Sequence, residues 1–342
     1  MEILSLYVDG YKNVSEVNVN LVRTISAFIG FNNSGKSNLI QSIIFGFKLM
    51  QTDESVREEL LKTNYIEPAL EKFNHKTYSF EVKFSFRKKV YIYKLQADWN
   101  SYCVISENVV DEDDKSHIDL IEIIKNTVIA TVYKDNDLEY YILEDFNQSY
   151  TEDDCYLMYQ NLSELKENNN DRYEILMDSF LNLFPELEYV RLDYNETIYY
   201  KEKFLDRELP IKLLSSGPQK IFKLLTAIAR LKEDSFSLVF FEEVENSIHP
   251  ILIENLLIAI DVLALNSKII ITSHSPYLIQ HINLDSVYLA IPSNYGRASF
   301  RTIQNREKLL NLASEYDQST GEFIFNLMLE SYHHPERLLE WL

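Results

Sequence analysis

A glycine-rich octapeptide is the segment whose residue types and spacing point most directly to chemistry. Gly30 to Ser37 reads GFNNSGKS, the G-x-x-x-x-G-K-S pattern of phosphate-binding (Walker A) loops. In that pattern, main-chain N–H groups and a helix N-terminus hold phosphate oxygens. We expect Lys36 to reach the β and γ phosphates of ATP, and the Ser37 hydroxyl to coordinate Mg²⁺. The other expected nucleotide contacts are Gly30, Asn32, Asn33, Ser34, Gly35 and Asn38.

A second candidate is an apolar strand that ends in two carboxylates. Residues 237–241 read SLVFF and precede Glu242 and Glu243, which is the Walker B pattern. Neighbouring residues on a strand point to opposite faces, so the two acids have different tasks. We expect Glu242 to hold Mg²⁺ and Glu243 to polarise the water that attacks the γ phosphate. Aspartate is usual at the first position, so the longer Glu242 bears on the hydrolysis rate.

The elements that position these residues follow from hydrophobic periodicity. Residues 2–8 and 15–21 alternate as paired strands, and a buried strand at Ile25–Ile29 runs into the glycine loop and a helix over 37–50. Residues 77–143 predict an antiparallel block of strands, which includes Thr127–Tyr133, a turn at Lys134–Asp137, and Leu138–Leu143.

Helices and then an α/β alternation follow in the rest of the chain. Residues 51–75 and 150–190 are predicted to be helical, the latter with a break at Asn168–Asn170. Alternating helices and strands from residue 217 predict a mostly parallel sheet flanked by helices. The helices are expected at 217–232, 250–264 and 276–282, and the strands at 237–241, 268–272 and 286–291.

Four ordered motifs together resemble one family. Gly30–Asn38 is similar to the G-x-N-x-x-G-K-S-N loop of ABC-superfamily ATPase heads of the RecF, SMC and overcoming-lysogenization-defect type. Leu214–Gln219 resembles their LSGGQ-like signature, with Ser216 in place of the first glycine and Pro218 inserted. Glu242–Pro250 resembles their E-E-P-E-x-x-x-H-P stretch, and Ile269–Pro276 their T-S-H-S-P strand end.

This resemblance implies a fold. It is an α/β P-loop NTPase of ABC-ATPase type, with a mixed or antiparallel lobe I sheet and a helical and parallel-sheet lobe II. Residues 1–342 would form one two-lobed domain. Residues 1–150 would be lobe I with the Walker A loop, 151–210 a helical insertion, and 211–342 lobe II.

The resemblance also implies a mechanism that uses ATP and Mg²⁺. Two heads would sandwich two ATP molecules, with Ser215, Ser216 and Gly217 of one copy at the γ phosphate held by the other. Lys36, Glu243 and His274 would be catalytic, with His274 sensing the γ phosphate. Tyr11–Asn13 sits where related heads touch nucleotide, and Gln148 and Gln160 are candidates for the family's Q-loop glutamine.

Composition restricts the remaining possibilities. A hydrophobic share of 46% supports a sizeable core, and we see no apolar run long enough for a membrane span. The first ten residues read as a strand rather than a signal peptide, and two cysteines without a CxxC pair are typical of a reducing cytoplasm. The net charge of -20 opposes binding to a nucleic-acid backbone, although it does not exclude a local basic patch.

Three functions remain open on the sequence alone. The 68 residues after His274 are too few for a Toprim nuclease domain, so we expect an ATPase without its effector. The E-E-x-E-N-x-x-H-P form with short insertions resembles most closely the ATPase subunits of bacterial anti-phage defence systems, which would hold a separate nuclease or toxin. The first hypothesis is therefore an ATP-driven scaffold that forms homodimers or higher oligomers and controls an effector. The second is a DNA-maintenance clamp of RecF type, and the third is a non-catalytic, ATP-gated interaction module.

Overall fold

Alternating apolar and polar residues build an antiparallel sheet near the start of the chain. A computed structural model describes residues 2–66, 72–122, 152–231, 238–242, 248–265, 267–291, 296–331 and 334–342. The first sheet has the order β2-β1-β4-β5-β6. Its strands are β1 (Glu2–Asp9), β2 (Val17–Asn20), β4 (Thr77–Phe86), β5 (Lys89–Asp98) and β6 (Cys103–Asp111). Alternate residues such as Leu6, Val19 and Val82 are buried, so one face of this sheet packs on the core.

The second sheet carries the strand that leads into the glycine loop. Its order is β10-β11-β3-β12-β13, parallel except for β13, which confirms the predicted mostly parallel sheet. The strands are β3 (Ile25–Ile29), β10 (Leu238–Glu242), β11 (Lys268–Ser273), β12 (Val287–Ala290) and β13 (Phe300–Thr302). Continuous apolar runs form β3 and β11 because both faces of the sheet are covered.

Helices cover the two faces of the second sheet. Helix α1 (Lys36–Gln51) lies between the two sheets, where Phe45 stacks on Trp99 and Phe47 meets Phe80 edge to face. It is followed by α2 (Glu54–Asn64). Five helices lie on the opposite face: α3 (Glu152–Asn168), α4 (Asn170–Leu183), α5 (Ser216–Ala229), α6 (Ile253–Ala264) and α7 (Pro276–His281). Three more follow in the chain: α8 (Arg306–Glu315), α9 (Thr320–Ser331) and α10 (Pro335–Leu339). The predicted helix break is present at Asn169, whose side chain caps α4 by accepting from the Arg172 N–H.

A buried arginine ties two of these helices together. Arg172 is 5% exposed, and its guanidinium donates to the carbonyls of Ala229 at 2.7 Å, Ile228 at 3.0 Å and Leu263 at 2.9 Å. Those carbonyls belong to the last turns of α5 and α6, the helix ends that carry partial negative charge, and the Ile228 carbonyl also accepts from the Leu231 N–H at 3.1 Å. One side chain therefore holds both helix ends in a fixed relation.

Residues 187–210 differ from the sequence expectation. The helix predicted to reach residue 190 ends at Leu183, and a small antiparallel sheet of β7 (Leu187–Leu192), β8 (Ile198–Glu202) and β9 (Leu209–Pro210) follows. The segment 151–210 is therefore helical only in its first part. The predicted strands Thr127–Tyr133 and Leu138–Leu143, with their turn at Lys134–Asp137, lie outside the described residues.

Within the described ranges, no helix has the combined length and apolar character that spanning a bilayer requires.

Candidate functional site

The glycine loop approaches its neighbours too closely for side chains at two positions. A Cβ added to Gly30 would lie 2.6 Å from the Ala290 Cβ, and one added to Gly35 would lie 2.3 Å from the Ala298 Cβ. Gly35 also has a φ of 91°, the left-handed region that favours glycine, and it is the residue before α1. The chain can therefore turn directly from β3 into α1 with its main chain exposed to a ligand.

Lys36 and His274 meet beside this loop. Lys36 is 7% exposed, and its ammonium donates to the carbonyls of Gly30 at 2.8 Å and Phe31 at 3.1 Å. It also lies 3.3 Å from both ring nitrogens of His274. The two residues are 238 positions apart, and the pairing of Ser273 with Ile29 across β11 and β3 brings them together. The structure thus unites two of the three predicted catalytic residues.

Other side chains of the loop are arranged as a phosphate ligand requires. The Ser34 hydroxyl oxygen is buried and has no hydrogen-bond partner among the described residues. A buried hydroxyl without a partner is costly, so a ligand oxygen at this position would satisfy it. Ser37, Asn32 and Asn33 are exposed at the mouth of the loop. These features fit a triphosphate, with the Ser37 hydroxyl accessible to a metal ion.

The predicted contact segment Tyr11–Asn13 lies against the loop. The Asn13 side chain accepts from the Asn38 amide at 2.7 Å and donates to the Gly296 carbonyl at 3.0 Å. Lys12 donates to Gln41 of α1 at 2.6 Å, and burial lowers the pKa of this lysine. This segment therefore fixes the first two turns of α1 relative to the start of the chain.

The carboxyl end of β10 lies two strands from the loop. Glu242 is the last residue of β10 and is paired in register with Thr272, beside the strand that ends at Ile29. Ligand sites in parallel sheets form at such carboxyl ends. The Glu242 side chain and the whole of Glu243 lie outside what the structure describes. In the part that it does describe, no three His, Cys, Asp or Glu side chains form a metal-binding group.

The serine–glycine turn before α5 is rigid and faces outward. Gln219 is 6% exposed, and its amide donates to the carbonyls of Leu214 at 2.7 Å, Lys212 at 3.0 Å and Ile211 at 3.3 Å. Residues 215 and 216 are exposed, and the serine at the N-cap forms no side-chain capping bond. Across the described residues, this turn forms no hydrogen bond with the glycine loop of its own chain.

Of the two glutamine candidates, only Gln160 lies in the described part of the chain. Gln160 lies exposed on α3, and Gln148 falls outside the described residues.

Comparison of the sequence with protein families gives one match. Residues 25–280 match a family described as "AAA domain, putative AbiEii toxin, Type IV TA system". The chain belongs to this AAA family. The matched range covers the glycine loop, the serine–glycine turn, the Walker B strand and His274. No curated protein matches the sequence.

Solved structures show the fold that this AAA-family chain shares. The SMC head domain from Thermotoga maritima is 14% identical with a TM-score of 0.56, and the similarity covers 89% of this chain and 100% of that one. An SmcHead bound to the C-winged helix domain of ScpA is 14% identical with a TM-score of 0.59, and the similarity covers 90% of this chain and 100% of that one. A third structure is the Smc head domain with an extended coiled coil, bound to the C-terminal domain of ScpA derived from Pyrococcus furiosus. It is 12% identical with a TM-score of 0.54, and the similarity covers 93% of this chain and 100% of that one. The AAA-family chain therefore has the fold of SMC head domains.

Some residues of the site were not predicted from the sequence. Ala290, Gly296 and Ala298 lie far along the chain, yet they pack against the loop glycines and Asn13. Alanine and glycine at and after the predicted strand 286–291 indicate a place where another segment can pack closely. The neighbouring residues in the sequence do not show which loop that segment is. In this AAA-family domain, their position depends on β12 lying next to β3.

Proposed function

We propose that this domain binds and hydrolyses ATP with Mg²⁺, closes as a homodimer around two nucleotides, and thereby controls a separate effector protein in anti-phage defence. The observation that carries the proposal is the meeting of Lys36, the glycine loop and His274 at the carboxyl ends of β3 and β11. The glycine loop and His274 are distant in sequence, and they meet there around the Lys36 ammonium.

The residues of the chain would act on bound nucleotide in distinct ways. Lys36 exchanges its carbonyl contacts for phosphate oxygens, and the buried Ser34 hydroxyl gains a partner. The bound Mg²⁺ supplies charge neutralisation of the phosphates, with Ser37 and Glu242 as its protein-side partners. His274 lies beside Lys36, where it is placed to sense the γ phosphate, and Glu243 orients the attacking water.

A site shared between two copies accounts for the outward-facing serine turn. Helix α5 begins at the turn formed by Ser215, Ser216 and Gly217. Among the described residues, the Ser215 side chain at the N-cap does not cap the N–H groups of the first turn. A helix N-terminus of this kind attracts anions. Since the turn forms no hydrogen bond with its own glycine loop, the γ phosphate of a second copy is the ligand that we assign to it. The three-carbonyl grip of Gln219 keeps the turn rigid for that purpose.

The effector role is supported by the family and by charge. The description of the family names a putative toxin of a toxin–antitoxin system, and two of the SMC heads with the same fold are bound to a domain of a protein partner, ScpA. A net charge of -20 favours a protein partner over a nucleic-acid backbone.

Turnover and dimer formation of three variants test the nucleotide part. Glu243→Gln should bind ATP, stop phosphate release and accumulate as a dimer in size-exclusion chromatography with ATP and Mg²⁺. Lys36→Met should lose ATP binding, whereas His274→Ala should slow phosphate release more than it weakens binding. Normal turnover by Glu243→Gln, or tight ATP binding by Lys36→Met, would refute the assigned roles.

A pull-down tests the effector part. Tagged Glu243→Gln protein is isolated from its own host with ATP and Mg²⁺, and its partners are identified by mass spectrometry. A stoichiometric nuclease or toxin-like protein supports the scaffold. Recovery of only DNA with repair or replication proteins overturns it in favour of a RecF-type clamp. Lys36→Met protein is the matched control, because a partner that requires the ATP-bound dimer should be lost from it.

A further inference from the structure

A helix near the end of the chain lies against the nucleotide site. Helix α9 (Thr320–Ser331) packs along α7, the helix that follows His274. None of the four sequence motifs of the site includes a residue of α9. Two contacts nevertheless connect this helix to the site, one with the glycine loop and one with the first turn of α7.

The first contact is between two aromatic rings. Phe31, which follows the first glycine of the loop, meets Phe325 of α9 edge to face, with the ring centroids 5.9 Å apart. Both residues are half-buried. Phe31 also packs against the core cluster that contains Ile324 and Met328 of the same helix. Since edge-to-face pairs are attractive and directional, α9 restricts where Phe31 can lie.

The main chain of Phe31 gives this contact a bearing on the site. Its carbonyl accepts from the Ser34 N–H at 3.2 Å and from the Lys36 ammonium at 3.1 Å. The first bond closes the turn of the glycine loop, and the second holds the lysine that we expect at the β and γ phosphates. A change in the position of Phe31 would therefore alter the loop and the lysine together.

The second contact is between two main chains. Gly321 is buried in the first turn of α9, and a Cβ added to it would lie 2.0 Å from the Pro276 carbonyl oxygen. Gly321 lies four positions before Phe325, so both residues are on the same face of the helix. The lack of a side chain at this position lets α9 approach α7 closely, and this approach brings the Phe325 ring to the loop.

The turn before α7 links this second contact to His274. The Ser273 hydroxyl accepts from the Ser275 N–H at 2.8 Å, and the Ser275 hydroxyl accepts from the Tyr277 N–H at 3.2 Å. His274 lies between the two serines and is held by this turn. Helix α9 therefore contacts both segments that bring Lys36 and His274 together.

We infer that Phe325 is a positioning residue of the nucleotide site, which holds the glycine loop through Phe31 in the geometry that binds ATP. Gly321 sets the distance of α9 from the loop. The inference rests on the proposed ATP binding and adds to it a helix that no motif identifies. Because the loop holds the phosphates before and during hydrolysis, loss of the ring should raise KM for ATP and leave kcat nearly unchanged.

A double-mutant cycle tests this inference, with steady-state ATP hydrolysis and the binding of a fluorescent mant-ATP as the two measurements. Phe325→Leu should raise KM and Kd about threefold to tenfold and keep kcat within about twofold. Phe31→Leu should have a similar effect, and the double variant should be no worse than Phe31→Leu alone, because the contact is already lost. Phe325→Tyr retains the ring and should keep the wild-type KM.

The matched control is Phe323→Leu. Phe323 belongs to the same helix and is also half-buried, but its ring meets those of Tyr316 and Trp341. This variant should keep the wild-type KM. Gly321→Ala displaces the whole helix and should weaken mant-ATP binding at least as much as Phe325→Leu. If Gly321→Ala does not fold by circular dichroism, the Phe31–Phe325 cycle decides by itself.

Three results would overturn the inference: an unchanged KM for Phe325→Leu, additive effects of the two leucine variants, or an equal rise in KM for Phe323→Leu. Failure of the wild-type protein to bind mant-ATP is a different result, because it would refute the proposed function together with this inference.

Discussion

Replacing Arg172 by methionine should remove about 3 kcal/mol of unfolding free energy. The guanidinium serves three carbonyls at 2.7, 2.9 and 3.0 Å, and the residue is 5% exposed. The Ile228 carbonyl keeps the Leu231 N–H, but those of Ala229 and Leu263 lose the donor that Arg172 supplies. Each buried carbonyl left without a donor costs about 1–3 kcal/mol, while removing the buried charge returns part of that loss. Lysine at this position keeps the charge but not the planar fork, so Arg172→Lys should fall between wild type and methionine.

Urea unfolding followed by far-UV circular dichroism measures this prediction, with the midpoints compared at a common m-value. The control is Arg230→Met at the C-cap of α5, where Arg230 meets Glu164 at 3.6 Å on the surface. An exposed pair of this kind contributes about 0.2–1 kcal/mol. A loss for Arg172→Met no larger than that for Arg230→Met would show that the three carbonyls are not what this side chain stabilises. Because α5 begins at the serine–glycine turn, Arg172→Met should also slow ATP turnover.

Three further changes have defined outcomes. Ser34→Ala should raise the melting temperature of the nucleotide-free protein, since it removes a buried hydroxyl that has no described partner. The same variant should show a smaller increase in melting temperature when ATP and Mg²⁺ are added in a thermal-shift assay. A lower melting temperature of the nucleotide-free variant would contradict this. Gly30→Ala should destabilise by about 1–3 kcal/mol and abolish that ATP shift, because its Cβ would meet Ala290 at 2.6 Å; an unchanged shift would contradict it. Hydrogen bonds from Arg191 lower the pKa of Glu208 from 4.5 to about 2, so its ionised form stabilises the β7–β9 sheet above pH of about 4.5 and this contribution disappears as pH falls towards 2. The difference in melting temperature between wild type and Glu208→Gln should therefore shrink across that window, and a constant difference would be evidence against the ion pair.

Much of the fold could be predicted from local patterns. The strand, loop and helix from Ile25 to Gln51 lie where periodicity and the glycine motif place them, because one short segment contains all the determinants. The later alternation of helices and strands gave the parallel sheet for the same reason. The helix predicted over 150–190 extends too far, since residues from Leu187 onward form a strand; Tyr189 and Val190 are residue types that favour strands.

Contacts between distant segments were beyond sequence reasoning. The motifs identified Lys36 and His274 separately, but their 3.3 Å approach depends on β11 pairing with β3. The bond from Asn38 to Asn13 and the packing of Ala290 on Gly30 likewise depend on which strands become neighbours. The composition of the sequence and the spacing of its motifs do not show which strands pair with one another.

The position of β3 has a consequence for how the protein is made. This strand emerges early from the ribosome, but both of its neighbours, β11 and β12, are synthesised more than two hundred residues later. Until they arrive, an apolar strand is present with two unsatisfied edges, a condition that favours aggregation and slow, non-local folding. When synthesis has proceeded only as far as α5, the nascent chain contains the glycine loop but lacks β11 and β12, the strands that pair with β3. Competence to bind nucleotide should therefore appear late in synthesis and abruptly, when β11 and β12 enclose β3.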